Sequence, residues 1–306
     1  APSLLDEAVE RHRRALGATS EEDADHADHL SNLAATLGDR YQARGNPEDL
    51  REAIDLAAAA LEQLPSSVGE GRVEALNDLA ALAGDLVEFE GNADPDHTRD
   101  LLDLGEAKYR EALELCTHPE KRAFVLMGLA RILSSRPSGR HHMEEVVALC
   151  EEALRELPGE HPERPMALSN LVSALGQRFA LVGKPVDLER CVEVAREAVD
   201  TAADQGTLTP VLLNQLAHAL LVRFDWKGRQ EDLDGAIDLL LSAWSALPPE
   251  DPRMADFEND LGLALGEKAR LLEGAGLVQR AVARFDSAVK RAEPGHSFLA
   301  AILSNL

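Results

Sequence analysis

Residues 30–65 read LSNLAATLGDRYQARGNPEDLREAIDLAAAALEQLP, and the rest of the 306-residue chain is built of weaker copies of this stretch. Leu30, Leu33, Leu37 and Tyr41 recur at intervals of three and four, the stripe of an amphipathic helix. Leu50, Ala53, Ile54, Ala57, Ala60 and Leu61 repeat that pattern further on. Strand-type alternation is absent. Gly45 offers the left-handed residue that stops a first helix, and Pro65 cannot continue a second. The stretch therefore predicts a helical hairpin.

Working outward, residues 5–16 match the second half of this unit, so the chain opens mid-repeat. A second copy holds Leu76, Leu79 and Gly91, then a longer acidic loop through Asp94, Pro95 and Asp96. A third runs from Leu126 to Pro158, but Pro137 stands where Tyr41 stands, so its first helix should stop early. The fourth is the most faithful, with Leu168, Ser169, Asn170, Leu171, Leu175, Phe179, Gly183 and Asp187 falling on residues 30, 31, 32, 33, 37, 41, 45 and 49. A fifth carries Leu213, Leu216, Leu220, Phe224, Gly228 and Asp232, and a sixth Leu261, Leu265 and Ala281. The chain then closes on Leu303, Ser304, Asn305 and Leu306, which repeat residues 30–33. Copies spaced by about 45 residues fall in the range of helical solenoids. Stacked hairpins bury the apolar side that each would leave in water alone. Residues 1–306 are expected to form a single solenoid of about six hairpins with a half repeat at each end. Neither end shows a polar capping helix, which points to a piece of a longer protein.

A content of 45% hydrophobic but only 4% aromatic residues suits an aliphatic, alanine-rich helical core. The net charge of −24 opposes phosphate backbones and anionic lipid, so nucleic acid and membrane are excluded as expected partners. Cys116, Cys150 and Cys191 are odd in number and widely spaced, which suggests neither a disulfide framework nor a zinc site and fits the cytoplasm. No apolar run reaches membrane-spanning length, and the opening is too charged for a signal peptide.

Leu30, Leu33, Ala34, Leu37, Ala53, Ala57 and Pro65 resemble the tetratricopeptide (TPR) pattern, and Leu261, Gly262, Leu265, Ala281 and Phe285 match it more closely, with its glycine and phenylalanine present. Each unit is about ten residues longer than the usual 34, an extension expected as one turn on the first helix plus a longer turn at Asn46–Glu48. In this expanded form the chain resembles arrays common in actinobacterial proteins, where they often adjoin a caspase-like CHAT protease or a STAND-type NTPase. The resemblance implies an all-α, right-handed helical-hairpin (TPR-like) solenoid without catalysis or cofactor, whose concave face of first helices recognises a protein or extended peptide. The alternative implied role is an oligomerisation or autoinhibitory scaffold for an adjoining enzyme.

Opposite the apolar stripe, one position reads Asn32, Asp78, Gly128, Asn170, Gln215, Asp260 and Asn305 across the copies. Asparagine there resembles the amide ladders of O-GlcNAc transferase and kinesin light chain repeats. A side-chain amide can donate to and accept from a peptide backbone. Bonding to a neighbouring helix is the competing role. Asp39, Asp78 and Asp85 make one end of this face acidic, as do Asp260 and Glu267 the other, while Phe124, Arg131, Met166, Gln177, Val211 and His218 lie between. A partner with basic flanks and an apolar centre would match. The candidate partner-binding residues are thus Asn32, Asp39, Asp78, Asp85, Arg131, Asn170, Gln177, Gln215, His218, Asp260 and Glu267.

A second periodic position holds Arg40, Arg136, Arg178, Arg223 and Lys268. It borders the core, so a structural pairing with acids at the next helix start, such as Asp49, Asp187 and Asp232, is expected. His141, His142, Glu144 and Glu145 read as a solvated loop after Pro137 and Gly139 rather than a metal site, and Trp226 and Trp244 as packing residues. Gly-rich phosphate loops are absent.

Overall fold

The computed structural model describes residues 4–292, apart from residues 21, 24, 65–68, 92, 137–139 and 252. Pro65, Pro137, Gly139, Asn305 and the closing residues 303–306, each used above, lie outside the described residues. The chain divides into two compact units, Ala1–Pro158 and Gly159–Leu306. Among the described residues there are thirteen α-helices and no strand, so the fold is all-α.

The first unit opens with α1 (Leu4–Ala18), followed by three hairpins. These are α2 (His26–Arg44) with α3 (Pro47–Gln63), α4 (Glu70–Glu90) with α5 (Pro95–Leu115), and α6 (Pro119–Ser135) with α7 (Arg140–Glu156). The second unit holds α8 (Arg164–Val182) with α9 (Pro185–Asp204), α10 (Pro210–Lys227) with α11 (Gln230–Ala246), and α12 (Met254–Leu272) with α13 (Ala275–Arg291). Leu33, Leu37, Leu50 and Ala53 are buried, as are their counterparts Leu171, Leu175, Leu188 and Cys191. Tyr41 is only half-buried and meets Phe89 edge-on at 6.1 Å.

Helix ends follow the local chemistry. Gly45, Gly183 and Gly228 sit at φ of 69°, 70° and 67°, left-handed values that a glycine adopts without the steric cost of a Cβ. At the next residue Asn46 accepts from the Glu48 amide and Pro47 opens α3, so the turn is only Gly45–Asn46. The extra length of the repeat therefore lies in the helices, 19 residues in α2 and 17 in α3, and not in a longer turn at Asn46–Glu48. The acidic stretch Asp94–Asp96 is likewise a helix start and not a loop. Asp94 accepts from the amides of Asp96 and His97, and Pro95 is the first helical residue. As expected, α6 stops early, at Ser135.

The arginine position closes the hairpins. Arg40, Arg178 and Arg223 each grip an aspartate nine residues on, Asp49, Asp187 and Asp232, through two hydrogen bonds of 2.6–3.0 Å. All three aspartates are buried. The same row also reaches back to the preceding second helix: Arg40 to Asp6, Arg136 to Asp103 and Glu106, Arg223 to Glu189, and Lys268 to Asp234. A planar guanidinium suits such forked pairing, and burial of the acids makes the loss of that partner costly.

Glu258 occupies the slot of Leu30 and is 1% exposed. A charge in a core slot demands partners. Trp244 Nε1 donates to it at 3.3 Å, Arg291 Nε stands 3.3 Å from its other oxygen, and Arg284 lies over the Trp244 ring at 4.2 Å.

Candidate functional site

In the first unit, the outward faces of α2 and α4 enclose a recess of about 240 Å³. Its base is made of small side chains, Ala34, Ala35 and Gly38 from α2 and Ala57 from α3. Asp39, Asp78 and Asp85 line it with Gln42. Gln42 Nε2 donates to Asp85 at 3.1 Å, and burial holds the carboxyls of Asp78 and Asp85 above the usual aspartate range.

The second unit repeats this recess between α10 and α12, with a volume of about 300 Å³. The correspondence runs position by position. Asp260, Leu263, Ala264 and Glu267 on α12 take the places of Asp78, Ala81, Leu82 and Asp85 on α4, and Leu240 replaces Ala57 at the base. On the earlier helix Ala35, Gly38, Asp39 and Gln42 become His218, Leu221, Val222 and Asp225. An acid pair seven residues apart is kept, while on the opposite wall Leu221 and Val222 bring apolar bulk and His218 and Asp225 bring titratable groups. Burial raises the Asp260 carboxyl and, with help from nearby Glu267, that of Asp225.

The structure thus gathers Asp39, Asp78 and Asp85 in one recess and His218, Asp260 and Glu267 in the other. The amide row divides. Gln215 accepts from Ser169 Oγ at 2.7 Å and donates to Ser173 Oγ at 3.3 Å, and Asp260 accepts from Asn214 Nδ2 at 3.4 Å, so these members tie adjacent first helices together. Asn32 and Gln177 are exposed, Asn170 is partly exposed, and none of the three lines either of these two recesses. Arg131 is committed within the unit: Nη1 bonds Asp85 at 3.1 Å and Glu88 at 2.8 Å, and Nη2 bonds the Ala81 carbonyl at 3.2 Å. Burial opposes its charge, but Glu88 and Asp85 outweigh that and hold its pKa high. It answers Asp85 and Glu88 instead of offering a loose cation, and leaves Asp39 and Asp78 unmatched by it.

Gly128 breaks the amide row for a reason outside its own helix. The ring of Tyr109, from α5, lies where a Cβ at Gly128 would be. Tyr109 is 2% exposed, and its hydroxyl reaches Arg131. Gly84 is small for a related reason, since its Cβ would lie 2.7 Å from the Arg131 guanidinium.

The histidine and glutamate group is helical: His142, Glu144 and Glu145 belong to the first turns of α7 and not to a loop, with Glu145 paired to Arg110. Among the described residues no cluster of three groups could hold a metal ion, and no helix is long and apolar enough to cross a membrane. Cys150 and Cys191 are buried, their thiols pushed up to about 12 and about 11 by desolvation, which leaves them inert as nucleophiles. Trp226 packs edge-on against Phe179 at 5.7 Å yet keeps 54% exposure.

No family model matches the sequence, and no curated protein does. Solved structures do. PilF of Pseudomonas aeruginosa is 18% identical over 84% of this chain and 98% of its own, with a TM-score of 0.50. BtubC of P. vanneervenii is 17% identical over 81% and 95%, with a TM-score of 0.49. TTC0263, a thermophilic TPR protein of Thermus thermophilus, is 16% identical over 78% and 98%, with a TM-score of 0.48. The fold is a TPR-like helical-hairpin solenoid. Gly262 and Phe285 meet in the sixth hairpin, a Cβ at Gly262 falling 2.6 Å from the Phe285 ring. At such identities the likeness carries the fold and nothing about a ligand.

Proposed function

We propose that this chain is a non-catalytic cytoplasmic module that binds an extended protein or peptide segment along the concave face of its first helices. Basic residues of the segment would face the acidic recesses. Apolar ones would rest on Met166 and Val211, 51% and 38% exposed at equivalent positions of α8 and α10. The observation that carries this reading is the recurrence of one recess, with an acid pair seven residues apart, at equivalent positions of both units. Packing alone does not ask for carboxylates there, since desolvation works against them. The free amides of Asn32 and Asn170 would supply main-chain contacts. Selection from a random peptide library tests it. Basic peptides should be enriched, and enrichment should fall with Asp78→Asn plus Asp260→Asn and with Asn32→Ala plus Asn170→Ala. Enrichment indifferent to both double changes would defeat the reading.

A second reading, a scaffold that oligomerises or holds an adjoining enzyme such as a CHAT protease inactive, is favoured by a row of exposed apolar residues. Leu181, Trp226 and Leu271 occupy the same position near the ends of α8, α10 and α12 and are 44%, 54% and 38% exposed. Light scattering that shows a concentration-dependent dimer lost in Trp226→Ser would support it over the first.

A further inference from the structure

We propose that the recess between α10 and α12 is a seat for one arginine side chain of the bound segment. This rests on the first-helix reading above and sharpens it to one residue type. The polar groups that line the recess are acceptors, apart from His218 and the amide nitrogen of Asn214. Asp225, Asp260 and Glu267 are there, and no Lys or Arg is among the lining residues. Asn214 adds to the deficit of donors: its amide nitrogen is given to Asp260, which fixes the orientation of the group and leaves its buried Oδ1 without a hydrogen-bond partner. Leu221, Val222 and Leu263 provide apolar walls for a methylene stem. A volume of about 300 Å³ sits at the bottom of the range for ligand sites, which suits a single side chain rather than a cofactor.

The first unit shows the kind of group that this acid position takes. Asp85, the counterpart of Glu267, is met by the guanidinium of Arg131 at 3.1 Å. In α12 Arg270 stands where α4 has Glu88, and it pairs with Glu267 on the same helix at 2.7 Å. In the second recess Asp260 is met by the amides of Asn214 and Asn259, at 3.4 and 3.5 Å, and among the described residues no guanidinium bonds Asp260 or Asp225, although Arg270 and His218 lie near enough to favour the charge on Asp225. A guanidinium, planar and with five donors, can serve both carboxylates and the Asn214 oxygen together, whereas an ammonium has three donors at one point.

The test uses the whole chain and three capped tripeptides, acetyl-Ala-Arg-Ala-amide and its lysine and citrulline versions, titrated while amide NMR shifts are followed. Expected is saturable binding of the arginine peptide with a Kd on the order of 1 mM, as befits one buried side chain, with shifts centred on α10 and α12. Asp260→Asn should weaken it at least about fivefold while leaving the melting temperature within about 3 °C. The citrulline peptide, equal in shape and uncharged, should not saturate. Equal binding of citrulline, or no saturation by the arginine peptide below about 10 mM, overturns the seat. Equal binding of the lysine peptide overturns the preference for arginine. Arginine-peptide shifts that ignore Asp260→Asn but lie elsewhere on the first helices would remove the seat and leave the broader reading standing. Shifts confined to the second helices would remove both.

Discussion

Arg178 grips Asp187 through two nearly parallel hydrogen bonds, Nε to Oδ2 at 3.0 Å and Nη2 to Oδ1 at 2.7 Å, and so ties the end of α8 to the start of α9. Asp187 is 2% exposed, so removing its partner strands a buried charge. Arg178→Ala should lower stability by roughly 2–4 kcal/mol, and Arg178→Lys should recover less than half, because an ammonium cannot fork. Urea midpoints of the two variants decide this; equal recovery by lysine would show that charge alone matters.

Glycine substitutions should split by surroundings. Gly128→Ala collides with the Tyr109 ring and should cost about 2 kcal/mol, whereas Gly176→Ala in α8, with no atom near the added methyl, should gain roughly 0.5–1 kcal/mol. Thermal melts of both variants measure the contrast. A stabilised Gly128→Ala would mean that Tyr109 moves aside freely.

The recess carboxylates should act on stability against the usual sense. Burial raises Asp260 from the ordinary 3.8, so the folded state holds its proton more tightly than the unfolded one. Such a group contributes stability that is fully present below the unfolded value and is lost as pH rises through the folded one. Asp260→Asn, which keeps the group neutral, should therefore match or exceed the parent at neutral pH by up to about 1 kcal/mol. The difference should shrink as pH falls toward about 4. Paired urea titrations across that window check it, and a difference that grows on acidification would contradict the assignment.

The cysteines should be silent until the fold opens. With Cys150 and Cys191 pushed up to about 12 and about 11, alkylation of these two at mildly alkaline pH should accelerate at least about 100-fold in denaturant. Mass spectrometry of the labelled peptides reads this directly. Ready labelling of either in the folded protein would show that its helix opens locally.

What could be read from the amino-acid order was whatever is settled within one hairpin. Gly45, Gly183 and Gly228 declare their helix ends, and the nine-residue spacing of Arg178 and Asp187 suffices to pair them. The recesses are joined across hairpins, by residues such as Asp39 and Asp78, so their walls emerge only when helices stack. Gly128 looked like a lapse in a polar row because its cause, Tyr109, sits on another helix. Two residues were within reach of the repeat register and passed over. Asp225 falls seven residues after His218 on the same face, and Glu258 falls in the slot of Leu30, where an acid is out of place. The turns at Asn46 and Asp94 are shorter than their residues suggest, because a proline after a capping side chain begins a helix as readily as it interrupts one.

The forked arginine and aspartate pairs close over only nine residues, and closing so short a loop costs little chain entropy. Each hairpin that carries one holds its own latch and borrows nothing distant to shut it. A segment of that kind can be duplicated, deleted or exchanged as a cassette, with the recess positions on its first helix free to drift afterwards. The two recesses, alike in their acid pair and unlike in the facing wall, have the form that such a history would leave.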